Sequence, residues 1–138
     1  MQIIEVKNQL VSTIALIDDE NKILIGKRPV GKVFENLWEF PGGKVKKNET
    51  VEQALIRETK EEINIDLNNN CIAPLACSTY NSENINIVIL LFISRKWNLD
   101  PICKVHTELR WVKANSFKKY KMPPANKFLI TSLQDLLL

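Results

Sequence analysis

Apolar residues along this chain recur with two different periods. Gln9 to Ile17 (QLVSTIALI) is apolar and β-branched and stops at Asp18-Asp19-Glu20-Asn21, a turn signal, so it predicts a strand. Lys22 to Arg28 (KILIGKR) alternates and predicts the hairpin partner of that strand, closed by Pro29. Pro29 to Asn36 reads as a loop containing Gly31. Leu37 to Phe40 reads as a short extended piece, because the residue before Pro41 is held out of the helical region. Ala73 to Tyr80 and Ile85 to Trp97 predict two more strands around Asn81-Ser82-Glu83-Asn84. The second is apolar throughout its centre, as in a strand buried on both faces. After a loop from Trp97 to Val105 containing Pro101, Thr107 to Val112 (TELRWV) predicts another strand.

The helical period occurs twice. Pro123-Pro124 precede a helix whose Phe128, Leu129, Leu133, Leu136 and Leu137 form one apolar stripe. The other helix starts at Thr50, an N-cap completed as a capping box by Gln53, and runs through strong helix formers to Glu61-Glu62. Asn64 follows where a left-handed cap is wanted. Strands on both sides of a central helix, with a second helix at the end, argue an α+β fold or an α/β/α sandwich.

That central helix carries an unusual charge pattern. Glu58, Glu61 and Glu62 stand at i, i+3 and i+4 and project from one face. Like charges at that spacing destabilise a helix by roughly 0.2–0.5 kcal/mol per pair. Their place in the last turns adds a dipole penalty of about 0.3–1 kcal/mol each. Hard divalent cations, Mg²⁺ above all, give such a face a purpose, since they take carboxylate and carbonyl oxygens. A solvated acidic face is the plainer explanation of three glutamates alone. It weakens because the same segment also carries the turn glycines, the cap and Glu49 at fixed spacings.

Gly43, Glu49 after five residues, Arg57-Glu58 after seven more, and then Glu61-Glu62 resemble the signature of the Nudix family. Thr59 stands where that signature has an aliphatic residue, and Asn64 where it has its last glycine. Neither position supplies a metal ligand in the family. The resemblance implies a mixed sheet between helices and hydrolysis of a diphosphate bond in a nucleoside diphosphate derivative. It also implies Mg²⁺, with Mn²⁺ as its substitute, held by Glu58, Glu61, Glu62 and the Gly42 carbonyl. Glu49 would serve the loop or outer shell, and Arg57 would orient neighbouring carboxylates. Glu58 and Glu108 are the two candidates for the water-activating base; an exposed strand acid is the plainer reading of Glu108.

Trp38 to Lys44 (WEFPGGK) and Pro123 to Asn126 (PPAN) resemble the MutT-like members of the family, which take 8-oxo-dGTP to 8-oxo-dGMP and pyrophosphate. By that likeness Asn126 would read the purine edge, Phe40 would line the base pocket with its backbone, and Arg28 would meet a phosphate. Asn126 is equally suited to capping the last helix. A second base-contacting arginine has no counterpart, because Glu83-Asn84-Ile85-Asn86 occupies that strand start. A Nudix hydrolase for dCTP, another nucleotide or an RNA 5′ end is the nearest alternative. A non-catalytic module like the lesion-reading domain of adenine DNA glycosylases is the alternative of another class; the intact acids argue against it.

Composition narrows the picture further. The 138 residues suit one domain spanning 1–138, with 45% hydrophobic and 25% charged residues, as in soluble globular proteins. No apolar run is long enough for a membrane span, and Met1 to Glu5 is not a signal-peptide pattern. Cys71, Cys77 and Cys103 lack CxxC spacing and read as buried reduced thiols of a cytoplasmic protein. His106 is the single histidine, which excludes multi-histidine metal sites, and no nucleophile motif accompanies it. The net charge of +3 is mild, and the lysines do not interleave with aromatics, so no stable nucleic-acid complex is expected. Lys44, Lys46 and Lys47, with Lys27 and Arg28, form a local excess that suits an anionic substrate such as a nucleoside triphosphate. A monomer is expected.

Overall fold

The computed structural model describes residues 5–138; Met1 to Ile4, most of the stretch read above as no signal peptide, lie outside them. The order is β1 (Lys7–Leu16), β2 (Lys22–Lys27), β3 (Trp38–Glu39), β4 (Gly42–Lys44), α1 (Val51–Ile63), β5 (Ala73–Ser82), β6 (Ile85–Ser94), β7 (Glu108–Lys113) and α2 (Asn126–Leu137). Short 3₁₀ turns lie at Asn69–Cys71 and Ala114–Lys119.

The strands form two hydrogen-bonded sets. One is the mixed sheet β4-β1-β6-β5, in which β1 runs parallel to β6 over ten residue pairs and antiparallel to β4. The other is the antiparallel sheet β3-β2-β7. This corrects the expected β1–β2 hairpin. The turn itself is there: Asp18 accepts from the backbone of Glu20 and Lys22, and Asn21 takes a left-handed φ of 59°. After the bridge Ile17–Ile23, however, the two strands part and join different sheets.

Alternating side chains of this strand layer feed two cores. Ala15, Ile17, Ile23, Ile25 and Leu91 pack with Leu129 and Leu133 of α2. Ile14, Leu16, Leu24 and Phe92 pack with Leu55 and Ile63 of α1. The layer therefore lies between helices, as in the α/β/α sandwich expected.

Three details of the sequence reading change. Only the last part of β6 is fully buried; its first half is half-buried. On α2, Phe128 and Leu136 face solvent at 59% and 46% exposure, and the packed stripe is Asn126, Leu129, Ile130, Leu133 and Leu137. The three thiols are free, but Cys77 and Cys103 are exposed and Cys71 half-buried, against the expectation of buried ones. Among the described residues no helix is long and apolar enough to cross a membrane.

Candidate active site

The site forms where α1 meets the Pro41–Lys44 turn. Thr50 caps α1 through its hydroxyl to Gln53, and the Gln53 side chain returns a bond to the Thr50 N–H. Ser12 of β1 donates to the Val51 carbonyl at 2.8 Å, which fixes the helix start against the sheet. At the other end Asn64 adopts φ 62° and donates to the Lys60 carbonyl. Thr59, where the signature wants an aliphatic, is fully buried, and its hydroxyl has no partner among the described residues. It fills the position as an aliphatic would.

With the helix so fixed, its acids meet the glycine turn. Gly42 has φ 150° and lies so close to the Ser12 backbone that a Cβ could not be accommodated. Its N–H donates to Glu62 Oε1 at 3.0 Å. The space a Gly43 side chain would take is filled by the Glu58 carboxylate. Arg57 gives Nε and Nη2 to the two oxygens of Glu49 at 2.7 and 2.8 Å, Nη1 to Glu58 at 2.8 Å, and a further bond to the Lys44 carbonyl. Glu61 is more exposed, 3.4 Å from the same guanidinium.

Electrostatics divide these acids. The Arg57 hydrogen bonds, with help from the Lys46 N–H, hold the Glu49 carboxyl down at about 2. Burial pushes Glu62 up to about 7, with the negative charges of Glu39 and Glu58 adding to the rise; the Gly42 N–H and His106 oppose it. Glu62 thus holds a proton through much of the acidic range. A cation beside such a buried carboxyl would favour its ionised form and bring that value back down.

A cleft of about 610 Å³ opens beside this cluster. Glu39, Gly42, Gly43, Arg28, Lys44 and Asn126 are among its polar and backbone lining. Phe34, Tyr80, Ile87 and Ile89 supply apolar lining. Phe40 borders the cleft while its ring is buried edge-on against Phe117, 6.1 Å between centroids. Asn126 is only 6% exposed and is not the helix cap; that place falls to Ala125, so the amide is not engaged in capping.

Glu108 is placed elsewhere. Strand register puts Lys27, Trp38 and Glu108 in one row and Gly26, Glu39 and Leu109 in the next, and successive rows face opposite ways. Trp38 packs in the α2-side core and Leu109 on the α1-side core. Glu108 therefore faces away from Glu39 and Glu62, and it pairs with Arg110, which lies over the Trp38 and Tyr120 rings. Two other residues, neither given a site role from the sequence, stand at the cluster. Glu39 accepts from Arg28 Nη1 at 2.7 Å and from the ring of His106 at 2.8 Å. Glu39 sits inside WEFPGGK, yet nothing local marks it for pairing with a histidine 67 residues away.

The NUDIX domain family matches residues 7–133. The chain belongs to the Nudix family. It is 31% identical over 124 residues to the 8-oxo-dGTP diphosphatase of Buchnera aphidicola subsp. Schizaphis graminum, covering 90% of this chain and 92% of that one. A shorter match, 46% identical over 52 residues and 38% of each chain, is to the CTP pyrophosphohydrolase of Escherichia coli K12. In structure the chain is similar to the E. coli ORF135 protein, with a TM-score of 0.84 and 26% identity over 95% of this chain and 91% of that one. Nudix hydrolases generally need a divalent metal. The donors here fit one: they are hard carboxylate and peptide oxygens, and burial raises one of the carboxyls, Glu62, whose charge a cation would compensate. Glu58 and Glu62 now hold Arg57 and the Gly42 N–H, and among the described residues no three acids already converge on a point.

Proposed function

We propose that this Nudix chain is a nucleoside triphosphate pyrophosphohydrolase that converts 8-oxo-dGTP to 8-oxo-dGMP and pyrophosphate, clearing oxidised purines from the nucleotide pool. One observation carries the reading: the acidic end of α1 and the Gly42-Gly43 turn meet beside a cleft lined by the cations Arg28 and Lys44 and by the buried amide of Asn126, which does not cap its helix. Water adds across a phosphoanhydride, and the products separate as nucleoside monophosphate and pyrophosphate.

Glu58, Glu61, Glu62 and the Gly42 carbonyl would hold Mg²⁺, or Mn²⁺ in its place. The bound cation supplies neutralisation of the polyphosphate charge. Glu58 takes the proton of the attacking water, and Arg57 holds Glu58 and Glu49 in place. Arg28 and Lys44 meet phosphate oxygens. Asn126, which offers both a donor and an acceptor, reads the purine edge. Phe40 contributes backbone to the base pocket. Glu108 takes no part in this reading, because it lies on the opposite face of its sheet. The chain acts as a monomer on free nucleotide in the cytoplasm; free thiols on the surface support a reducing compartment.

A cytidine triphosphate substrate is the second reading, favoured by the asparagine-rich β5–β6 turn where a guanine-reading arginine would stand and by the likeness to the CTP pyrophosphohydrolase. Steady-state kinetics with 8-oxo-dGTP, dGTP, dCTP and CTP decide between them. The expected result is a kcat/KM for 8-oxo-dGTP at least about tenfold above the others, a discrimination of about 1.4 kcal/mol. A preference for either cytidine nucleotide replaces the first reading with the second.

A further inference from the structure

His106 is the chain's single histidine, and its side chain is wholly buried. The ring lies flat against β2 at Gly26, where an added Cβ would meet the imidazole at 2.5 Å. The strand thus gives up a side chain to admit the ring. His106 is fastened on both sides: its carbonyl accepts from the Cys103 thiol at 2.9 Å, and the next N–H, of Thr107, donates to Lys27 at 3.0 Å. Its Nδ1 is buried without a partner among the described residues. An apolar side chain would fill the space with no such desolvation, so packing does not account for a histidine here.

Its other nitrogen accounts for it. Nε2 lies 2.8 Å from Glu39 Oε2, and a carboxylate has no proton to give, so the imidazole donates. Glu39 Oε1 accepts from Arg28 Nη1 at 2.7 Å, and Arg28 Nε donates to the Val33 carbonyl at 2.6 Å. The guanidinium is held by two of its five N–H groups, which leaves three for the cleft it lines. We propose that His106 is a positioning residue for substrate binding, acting from the core through Glu39 to fix Arg28 and the Pro29–Asn36 loop on the cleft wall. Without the imidazole donor, Glu39 is free to turn, and Arg28 loses the fixed acceptor that aims it.

The reading that Arg28 meets a polyphosphate comes from the function proposed above; the hydrogen-bonded chain does not depend on it. The experiment therefore has two arms. In kinetics with nucleoside triphosphate, His106→Leu should raise KM about tenfold and change kcat less than about threefold, the pattern of lost ground-state binding. His106→Gln, whose amide can restore an N–H donor, should recover most of the affinity. Arg28→Gln should match His106→Leu, and the double variant should be no worse than the poorer single one. In nuclear magnetic resonance, the Arg28 Nε–H signal should be protected from solvent in the wild type and in His106→Gln, and exchange-broadened in His106→Leu. Glu39→Gln cuts the same chain at its middle without emptying the buried site, and it replaces His106→Leu if that variant does not fold. Losses that multiply in the double variant, or an Arg28 signal indifferent to His106 and Glu39, overturn the proposal. A wild type inactive on every nucleoside triphosphate sinks the proposed function, while the resonance arm still decides the chain.

Discussion

Helices α1 and α2 cover opposite faces of the same strands and are held there by different means. α1 is closed at both ends by specific bonds, the reciprocal pair Thr50–Gln53 and the left-handed Asn64. Its charges are tied down by Arg57, which touches Glu49, Glu58 and Glu61. α2 has no side-chain cap, no acid in its first turn and no base in its last. It is held by the fully buried Leu129 and Leu133, with the Ser78 hydroxyl on the Ala125 carbonyl at its entry. The contrast follows from what each helix carries. α1 bears acids that oppose its own dipole, and strong local bonds offset them; α2 carries little charge and rests mainly on packing, with the Ser78 and Gln134 bonds beside it.

If that division holds, damage to the two helices should look different. Glu58→Gln should lower kcat by about 10³-fold, the range of a lost general base, with unfolding free energy unchanged or slightly raised. Parallel turnover and denaturation measurements check it, and unchanged turnover removes Glu58 from the chemistry. Leu129→Ala should do the reverse, losing about 2–5 kcal/mol of stability with little change in turnover per folded molecule.

A third test concerns Glu62. Its folded-state carboxyl, near 7, lies above the ordinary 4.5, so the folded chain binds more protons between those values. Stability of the metal-free protein should therefore fall as pH rises from about 4.5 to about 7, by on the order of 3 kcal/mol from this group, and then level off. The difference between wild type and Glu62→Gln across urea melts at several pH values isolates that slope; parallel curves would refute it. Smallest of all, Thr50→Ala should cost about 1 kcal/mol by removing the cap of α1. An alanine at Asn126 should leave the start of α2 intact, because Asn126 does not cap it, while nucleotide selectivity shifts.

The same division explains what the sequence let one read. The signals that start and end α1 are local, so its start, its end and its acid face could be taken from adjacent residues, while its seat on the sheet, through Ser12, Leu55 and Ile63, could not. The β1–β2 turn was equally local and is present, but the partners of those strands were not: β1 pairs with β6, some seventy-eight residues on, and the second halves of the two strands feed both cores. Phe128 and Leu136 looked like part of the α2 stripe because each lies one position from a packed residue; only the neighbouring sheet sets the phase. Glu108 and Glu39 show the limit most sharply. Both are strand acids near aromatic residues, and only the register of β3, β2 and β7 reveals that they look out of opposite sides. His106 could not be read at all without knowing that Gly26 makes room for it.

The alternation along β1 has a last consequence. Ile14 and Leu16 serve one helix while Ala15 and Ile17 serve the other, so the strand has no idle side. Inserting one amino acid ahead of Ile14 would swap the clientele of both layers at once. A change of length is therefore best accommodated in the turns, and which helix each β1 side chain serves is kept by counting odd and even.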